Sequence, residues 1–143
     1  MNYAINYEKS GEGFRATFPD FPGVLVLADT PEQIEEDAYD ALITKLMMYM
    51  EAGQAVPLPQ ATGPAQISLL PSIAAKILLQ NLAVEQNKSR SWIAKEMGVS
   101  RQVMTRLFNL RETTKVETIQ NALDTMGYEM KISIEPHTQS FTF

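Results

Sequence analysis

The sequence predicts an α+β chain in two parts: a βββαβ unit over residues 1–70 and a helical unit over residues 71–143 that closes on a strand. Three observations predict it. Apolar residues alternate with period two near the N-terminus. They recur at helical spacing in one long segment before Pro57 and in four shorter segments after Pro71. Three of the eight prolines crowd into Val56–Pro64, a stretch with no period of its own. At 143 residues there is room for one domain or two small ones, and 45% hydrophobic with 20% charged residues is the usage of a folded chain.

Asn2–Tyr7 and Gly13–Phe18 read as strands joined by a hairpin turn over Glu8–Glu12, with Ser10-Gly11 at its tip. Val24–Ala28 reads as a third strand, buried on both faces. Thr30 then opens a helix: its hydroxyl caps, Pro31 suits the first helical position, and Gln33 completes a capping box. Ile34, Ala38, Ala41, Leu42 and Leu46 form the apolar stripe, Glu35, Glu36, Asp37 and Asp40 lie mostly on other faces, and Gly53 stops the helix. Val56–Pro64 is both a linker and the lead into a last strand over Ala65–Leu70. Beyond Pro71 follow helices over Ser72–Gln86, apolar at Ile73, Ile77, Leu78 and Leu82, over Arg90–Met97, and over Arg101–Leu110, the last two joined by a tight turn at Gly98. A fourth starts after Thr114, which with Glu117 makes a second capping box, and ends at Gly127. In Tyr128–Ile134 the residues Tyr128, Met130, Ile132 and Ile134 alternate with polar ones, the period of a strand. A lone strand needs an edge to pair with, and a second copy of the chain can supply it, so a dimer is expected.

Several function classes are disfavoured. With no cysteine there is neither a disulfide framework nor a thiolate zinc site, and the one histidine, His137, sits in a polar tail without partners for catalysis. No apolar run approaches the roughly 18 residues of a membrane span, and Met1–Lys9 lacks the pattern of a signal peptide, so a cytoplasmic protein with no membrane partner is expected. Charge is unevenly spread. Residues 1–60 hold 10 acids and 3 bases, a net −7, whereas residues 61–143 hold 7 and 9, a net +2. From Lys88 to Lys115 seven bases (Lys88, Arg90, Lys95, Arg101, Arg106, Arg111, Lys115) face two acids, Glu96 and Glu112, the signature of a polyanion-binding surface.

That basic stretch carries the most informative motif, from Arg90 to Leu107. Ala94 is small where a second helix must approach, Gly98 can take positive φ at the turn, Ser89 and Ser100 stand where caps are needed, and Ile93, Met97, Val99, Met104 and Leu107 supply buried spokes. This is the pattern of a helix-turn-helix, whose second helix lies in the major groove. Ser100, Arg101, Gln102, Thr105 and Arg106 are the expected base readers. Arginine pairs with guanine O6 and N7, glutamine with adenine N6 and N7, and a threonine methyl meets thymine. Arg90, Ser91, Lys95, Asn109 and Arg111 are the expected phosphate contacts, which fix register without reading sequence. The competing reading is a plain helical hairpin with solvated bases.

The chain as a whole resembles the HicB antitoxins of bacterial toxin-antitoxin pairs, in the subgroup with a Cro-like helix-turn-helix. The resemblance rests on Gly13-Phe14-Arg15-Ala16-Thr17-Phe18-Pro19-Asp20-Phe21-Pro22-Gly23, Asp29-Thr30, Ala55-Val56-Pro57-Leu58-Pro59, Thr105-Arg106-Leu107-Phe108-Asn109-Leu110 and Thr114-Lys115. It implies a first domain with a degenerate ribonuclease-H-like fold that binds and blocks a HicA-type toxin, a small basic ribonuclease acting on mRNA. It also implies a second domain that binds the operator of its own operon. The run Val24-Leu25-Val26-Leu27 departs from the family, where polar residues are frequent. A ribonuclease-H-like fold raises two-metal catalysis, for which Asp20, Asp29, Glu32 and Asp40 are available, yet each has a local explanation in a turn, before a cap or in a first helical turn. The expectation is therefore a non-enzyme with no cofactor. Met47, Met48 and Met50 read as packing residues. A stand-alone regulator whose first domain binds a small molecule or another protein is the alternative function. A dimer would place half-sites roughly 10 base pairs apart or a multiple of that.

Overall fold

The computed structural model describes residues 1–136. His137, weighed above, lies outside the described residues. The order is β1 (Asn2–Ala4), β2 (Asn6–Ser10), β3 (Gly13–Phe18), β4 (Phe21–Ala28), α1 (Pro31–Ala52), β5 (Gln66–Ser68), α2 (Pro71–Glu85), α3 (Arg90–Met97), α4 (Arg101–Leu107) and α5 (Val116–Thr125). Among the described residues the fold is α+β, with small antiparallel sheets and five helices.

The expected first strand is broken at Ile5. Its first half, β1, pairs antiparallel with β5, and its second half, β2, pairs with β3, which pairs in turn with β4. Ile5 is buried at the break and its N–H donates to the Ala65 carbonyl at 3.2 Å. The hairpin register sets Tyr7 opposite Ala16 and Ala16 opposite Val26, so these share one face with Phe14 and Phe18. That face packs on α1, which buries Ile34, Ala38, Leu42, Ile43, Leu46 and Met50 at mostly four-residue steps. Each such leucine or isoleucine contributes about 1.5–3 kcal/mol by leaving water. Gly13 is required by proximity, since a Cβ there would stand 2.7 Å from the Ala28 carbonyl oxygen.

The third strand differs from expectation. It begins earlier, at Phe21, with an irregular register after Thr17, and it is not buried on both faces: Leu25 and Leu27 are 55% and 62% exposed. An apolar run alone does not distinguish a strand between two layers from one at a sheet margin. At its start Phe21 is buried against Tyr3 and Tyr49, with ring centroids 5.6 and 6.3 Å away.

The proline-rich segment after α1 is pinned rather than free. Asn81 of α2 clasps Val56 in both directions, accepting its N–H at 2.7 Å and donating to its carbonyl at 2.9 Å, and Gln80 donates to the Gln54 carbonyl at 3.0 Å. Asp20 accepts the N–H groups of Gln60 and Ala61 at 3.3 and 3.1 Å. The Tyr3 hydroxyl donates to the Pro57 carbonyl at 2.6 Å. Burial foremost, and then the charge of Asp20, push the Tyr3 phenol up to about 12. Because that lies above the ordinary value of 10.0, the stability Tyr3 contributes is intact below pH 10 and is lost as pH rises through about 12. Urea midpoints measured across this window are expected to fall more steeply for the parent than for Tyr3→Phe. Equal slopes would place the loss elsewhere.

In the helical part α5 packs on α2 and α3, and one continuous apolar cluster runs from Tyr3 to Met126 through both parts of the chain. The buried face of α2 is Ile73, Lys76, Ile77, Leu79, Gln80 and Ala83, while Leu78, expected on the apolar stripe, is 49% exposed. Lys76 is only 1% exposed and spends all three ammonium protons on carbonyls in the last turn of α4 and the segment after it: Arg106 at 3.0 Å, Asn109 at 2.9 Å and Glu112 at 2.7 Å. Burial foremost lowers its pKa, and the nearby Glu112 opposes that shift. Thr114 is not a cap, since α5 is preceded by Lys115 without a side-chain capping bond and the Thr114 hydroxyl lies 3.5 Å from the Arg106 carbonyl. Among the described residues Tyr128–Ile134 forms no strand within this chain, and Ile132 and Ile134 are 79% and 95% exposed.

Candidate nucleic-acid interface

Two short helices and the turn between them are fixed by small polar residues. The Ser89 hydroxyl oxygen accepts the Trp92 N–H at 3.0 Å to start α3, and that of Ser100 accepts the Val103 N–H at 3.3 Å to start α4. Between them Gly98 sits at φ 70°, the left-handed region a glycine enters without penalty, and its N–H and that of Val99 close the end of α3. Ile93, Met104 and Leu107 are buried beneath, with Ala94, Met97 and Val99 packed at the margin.

What remains outward is polar and cationic. Ser100, at the cap of α4, and Arg101, Gln102, Thr105 and Arg106 along it are all exposed. Among the described residues none of Lys95, Arg101, Arg106 and Lys115 forms an ion pair, so their charge is uncompensated at short range. The Thr105 hydroxyl donates to the Arg101 carbonyl at 3.1 Å, one turn back along α4. A cleft of about 720 Å³ lies between the two helices, lined by Arg90, Ser91, Ala94, Arg101, Met104 and Thr105. On the other side of α4 a smaller one of about 340 Å³ is lined by Val103, Arg106, Thr113, Thr114, Lys115 and Thr118. Lys115 was not among the expected contact residues; its place beside Arg106 follows from the return of the chain after α4.

The five residues expected at phosphates are not in equivalent places. Ser91 and Lys95 are exposed. Arg90 is held from α1, donating to the Met50 carbonyl at 2.5 Å and lying over the Phe108 ring at 4.5 Å. Arg111 is also held by α1, with 2.8 Å to Asp40 and 2.6 Å to the Thr44 hydroxyl. The Asn109 side-chain oxygen accepts the Arg111 N–H at 2.9 Å and shapes the loop. These long-range partners have no local sequence signal. The acids considered for metal binding are dispersed: Asp20 holds the proline-rich segment, Asp40 pairs with Arg111, and among the described residues no group of three acids or imidazoles is placed to hold an ion. Nor is any described helix long and apolar enough to cross a membrane.

Comparison with known proteins supplies the context for this basic surface. The HicB-like antitoxins of bacterial toxin-antitoxin systems match over residues 2–78. The chain belongs to the HicB-like antitoxin family. It is 35% identical to antitoxin HicB 1 of Photorhabdus laumondii over 94% of this chain and 88% of that protein. Antitoxin HicB 2 of the same organism is 34% identical over 92% and 95% of the two chains. Antitoxin HicB of Escherichia coli K12 is 31% identical over 92% and 98%. As a HicB-like antitoxin, the protein has an antitoxin role and a toxin as its partner, and its similarity to full-length HicB relatives extends well past the matched family segment into α3 and α4.

Proposed function

We propose that this HicB-like antitoxin neutralises an mRNA-cleaving toxin of the HicA type through residues 1–70 and represses its own operon through residues 71–143, with no catalytic role of its own. In this reading residues 1–70 form a degenerate ribonuclease-H-like domain, α3 and α4 form a Cro-like helix-turn-helix, and the protein works in the cytoplasm. The observation that carries the DNA half is the row Arg101, Gln102, Thr105 and Arg106 along a serine-capped helix, exposed and free of ion pairs among the described residues. These side chains, with Ser100 at the helix start, read base edges, and Ser91 and Lys95 hold phosphates. Arg90, Asn109 and Arg111 flank the same surface. With Asp40 offsetting its charge, Arg111 contributes less to phosphate binding than Lys95 does. A homodimer presents two α4 helices to half-sites about 10 base pairs apart or a multiple of that.

The test is co-purification with the product of the neighbouring small gene, an RNA-cleavage assay of that product with and without the antitoxin, and binding of the antitoxin to its own promoter. A stable complex with silenced cleavage supports the first half, and promoter binding well above that to random DNA supports the second. Lys95→Ala is expected to weaken binding to specific and random DNA alike, by about tenfold or less, and to reduce the slope of log affinity against log salt by about one. A loss confined to the specific site would move Lys95 among the base readers.

A further inference from the structure

The three-stranded sheet has one face against α1 and one without cover among the described residues. On the open face Leu27 stands opposite Arg15, which is opposite Glu8, and Leu25 stands opposite Thr17, which is opposite Asn6. Arg15 and Glu8 pair across the strands at 3.3 Å, so the polar part of this face is internally neutralised while the two leucines stay exposed. β4 is also the last strand of its sheet, and among the described residues its outer backbone groups from Pro22 to Ala28 make no hydrogen bond to another segment.

An eight-residue edge of this kind invites strand pairing, and proteins that must leave such an edge alone place lysines or inward-pointing charges on it. From Phe21 to Ala28 there is no charged residue, and Pro22 blocks only the start. Charge gathers instead at the ends. Asp20 precedes the strand, Asp29 follows it, and Asp29 and Asp37 border a cleft of about 670 Å³ that Leu27 and Ala28 also line. Antiparallel pairing with a second copy would set Asp29 of each copy near Asp20 of the other. A cationic partner meets no such repulsion.

We infer that β4 is the docking edge for the toxin: it accepts an extended strand of that partner, whose apolar side chains cover Leu25 and Leu27 and whose basic side chains meet Asp29 and Asp37. Main-chain hydrogen bonds along the edge supply affinity, and the leucines and flanking acids select the strand. The inference rests on the antitoxin reading above for the identity of the partner.

Binding of the full-length antitoxin to its catalytically silenced toxin, measured by titration calorimetry, tests it. Leu25→Thr with Leu27→Thr keeps strand-favouring residues at exposed positions, and Leu25→Lys with Leu27→Lys is the stronger disruption. Both pairs are expected to weaken toxin binding by about tenfold or more, while far-UV circular dichroism, melting temperature and molecular mass by light scattering stay at parent values. Asp29→Asn is expected to weaken binding at low salt and to make little difference at high salt. Parent-like affinity of both double variants would overturn the docking edge and leave the antitoxin reading standing. Absence of toxin binding by the parent would overturn both. A fall in the mass of the free antitoxin in either double variant would show that β4 pairs with a second copy instead.

Discussion

A Lys76→Met chain is expected to melt about 10 °C below the parent. Methionine preserves most of the apolar stem, so the change isolates the ammonium group. Two of the three carbonyls it serves have a further backbone donor, Asn109 to Arg106 at 3.1 Å and Glu112 to Asn109 at 3.3 Å, whereas no second donor to the Glu112 carbonyl occurs among the described residues. Charge-assisted hydrogen bonds contribute about 1.5–3 kcal/mol each and a buried acceptor left unpaired costs about 1–3 kcal/mol, so a net loss of about 3 kcal/mol is the conservative sum once the shared acceptors are discounted. For a chain of this length the unfolding entropy converts that loss to roughly the stated shift. Calorimetry gives the melting point, and hydrogen exchange should show the 107–112 segment opening first. An unchanged melting point would mean that water replaces the ammonium without penalty.

Replacing Arg101 and Gln102 together by alanine is expected to abolish selective operator binding. Each bidentate base contact discriminates by about 1–3 kcal/mol, and two contribute about 2–6 kcal/mol if they act independently. In affinity for the preferred site this runs from roughly thirtyfold to beyond ten-thousandfold. Affinity for random DNA should fall far less, by an amount set by the lost Arg101 charge alone. Competition binding with a labelled promoter fragment against scrambled fragments reads the ratio directly. If specific and random affinities fall together, α4 is not the reading helix and the basic stretch serves only as a general polyanion surface.

Local rules recovered the parts of this molecule that local forces decide. The Thr30 hydroxyl oxygen accepts the Gln33 N–H at 3.1 Å as the capping pattern requires, although the Gln33 side chain turns forward to Asp37 at 2.7 Å instead of closing the box. Ser89, Gly98 and Ser100 occupy the cap and turn positions assigned to them. Where partners come from elsewhere in the chain, the periodic pattern was insufficient. Nothing near Ile5 signals that the halves of one strand join different sheets. Arg90 and Arg111 read as free surface charge because Met50, Asp40 and Thr44 are distant in sequence. Lys76 and Gln80 did leave a trace: they stand three and seven positions after Ile73, on the stripe that α2 buries, and a lysine on such a stripe should prompt a search for three acceptors. Thr114 illustrates the converse, a plausible local signal overridden by the turn that brings it to Arg106.

The clasp of Asn81 on Val56 bears on how the protein can be taken apart and rebuilt. A segment held at Gln54, Val56, Pro57, Gln60 and Ala61 does not act as a tether with an adjustable reach. Lengthening it with glycine and serine would not simply separate two independent modules, because the same stretch seals the apolar cluster shared by α1 and α2. Chimeras that exchange one part for that of a relative must therefore carry the residues around Asn81, Arg90 and Arg111 along with it. Grafted without them, either part would expose a surface that evolved to be covered.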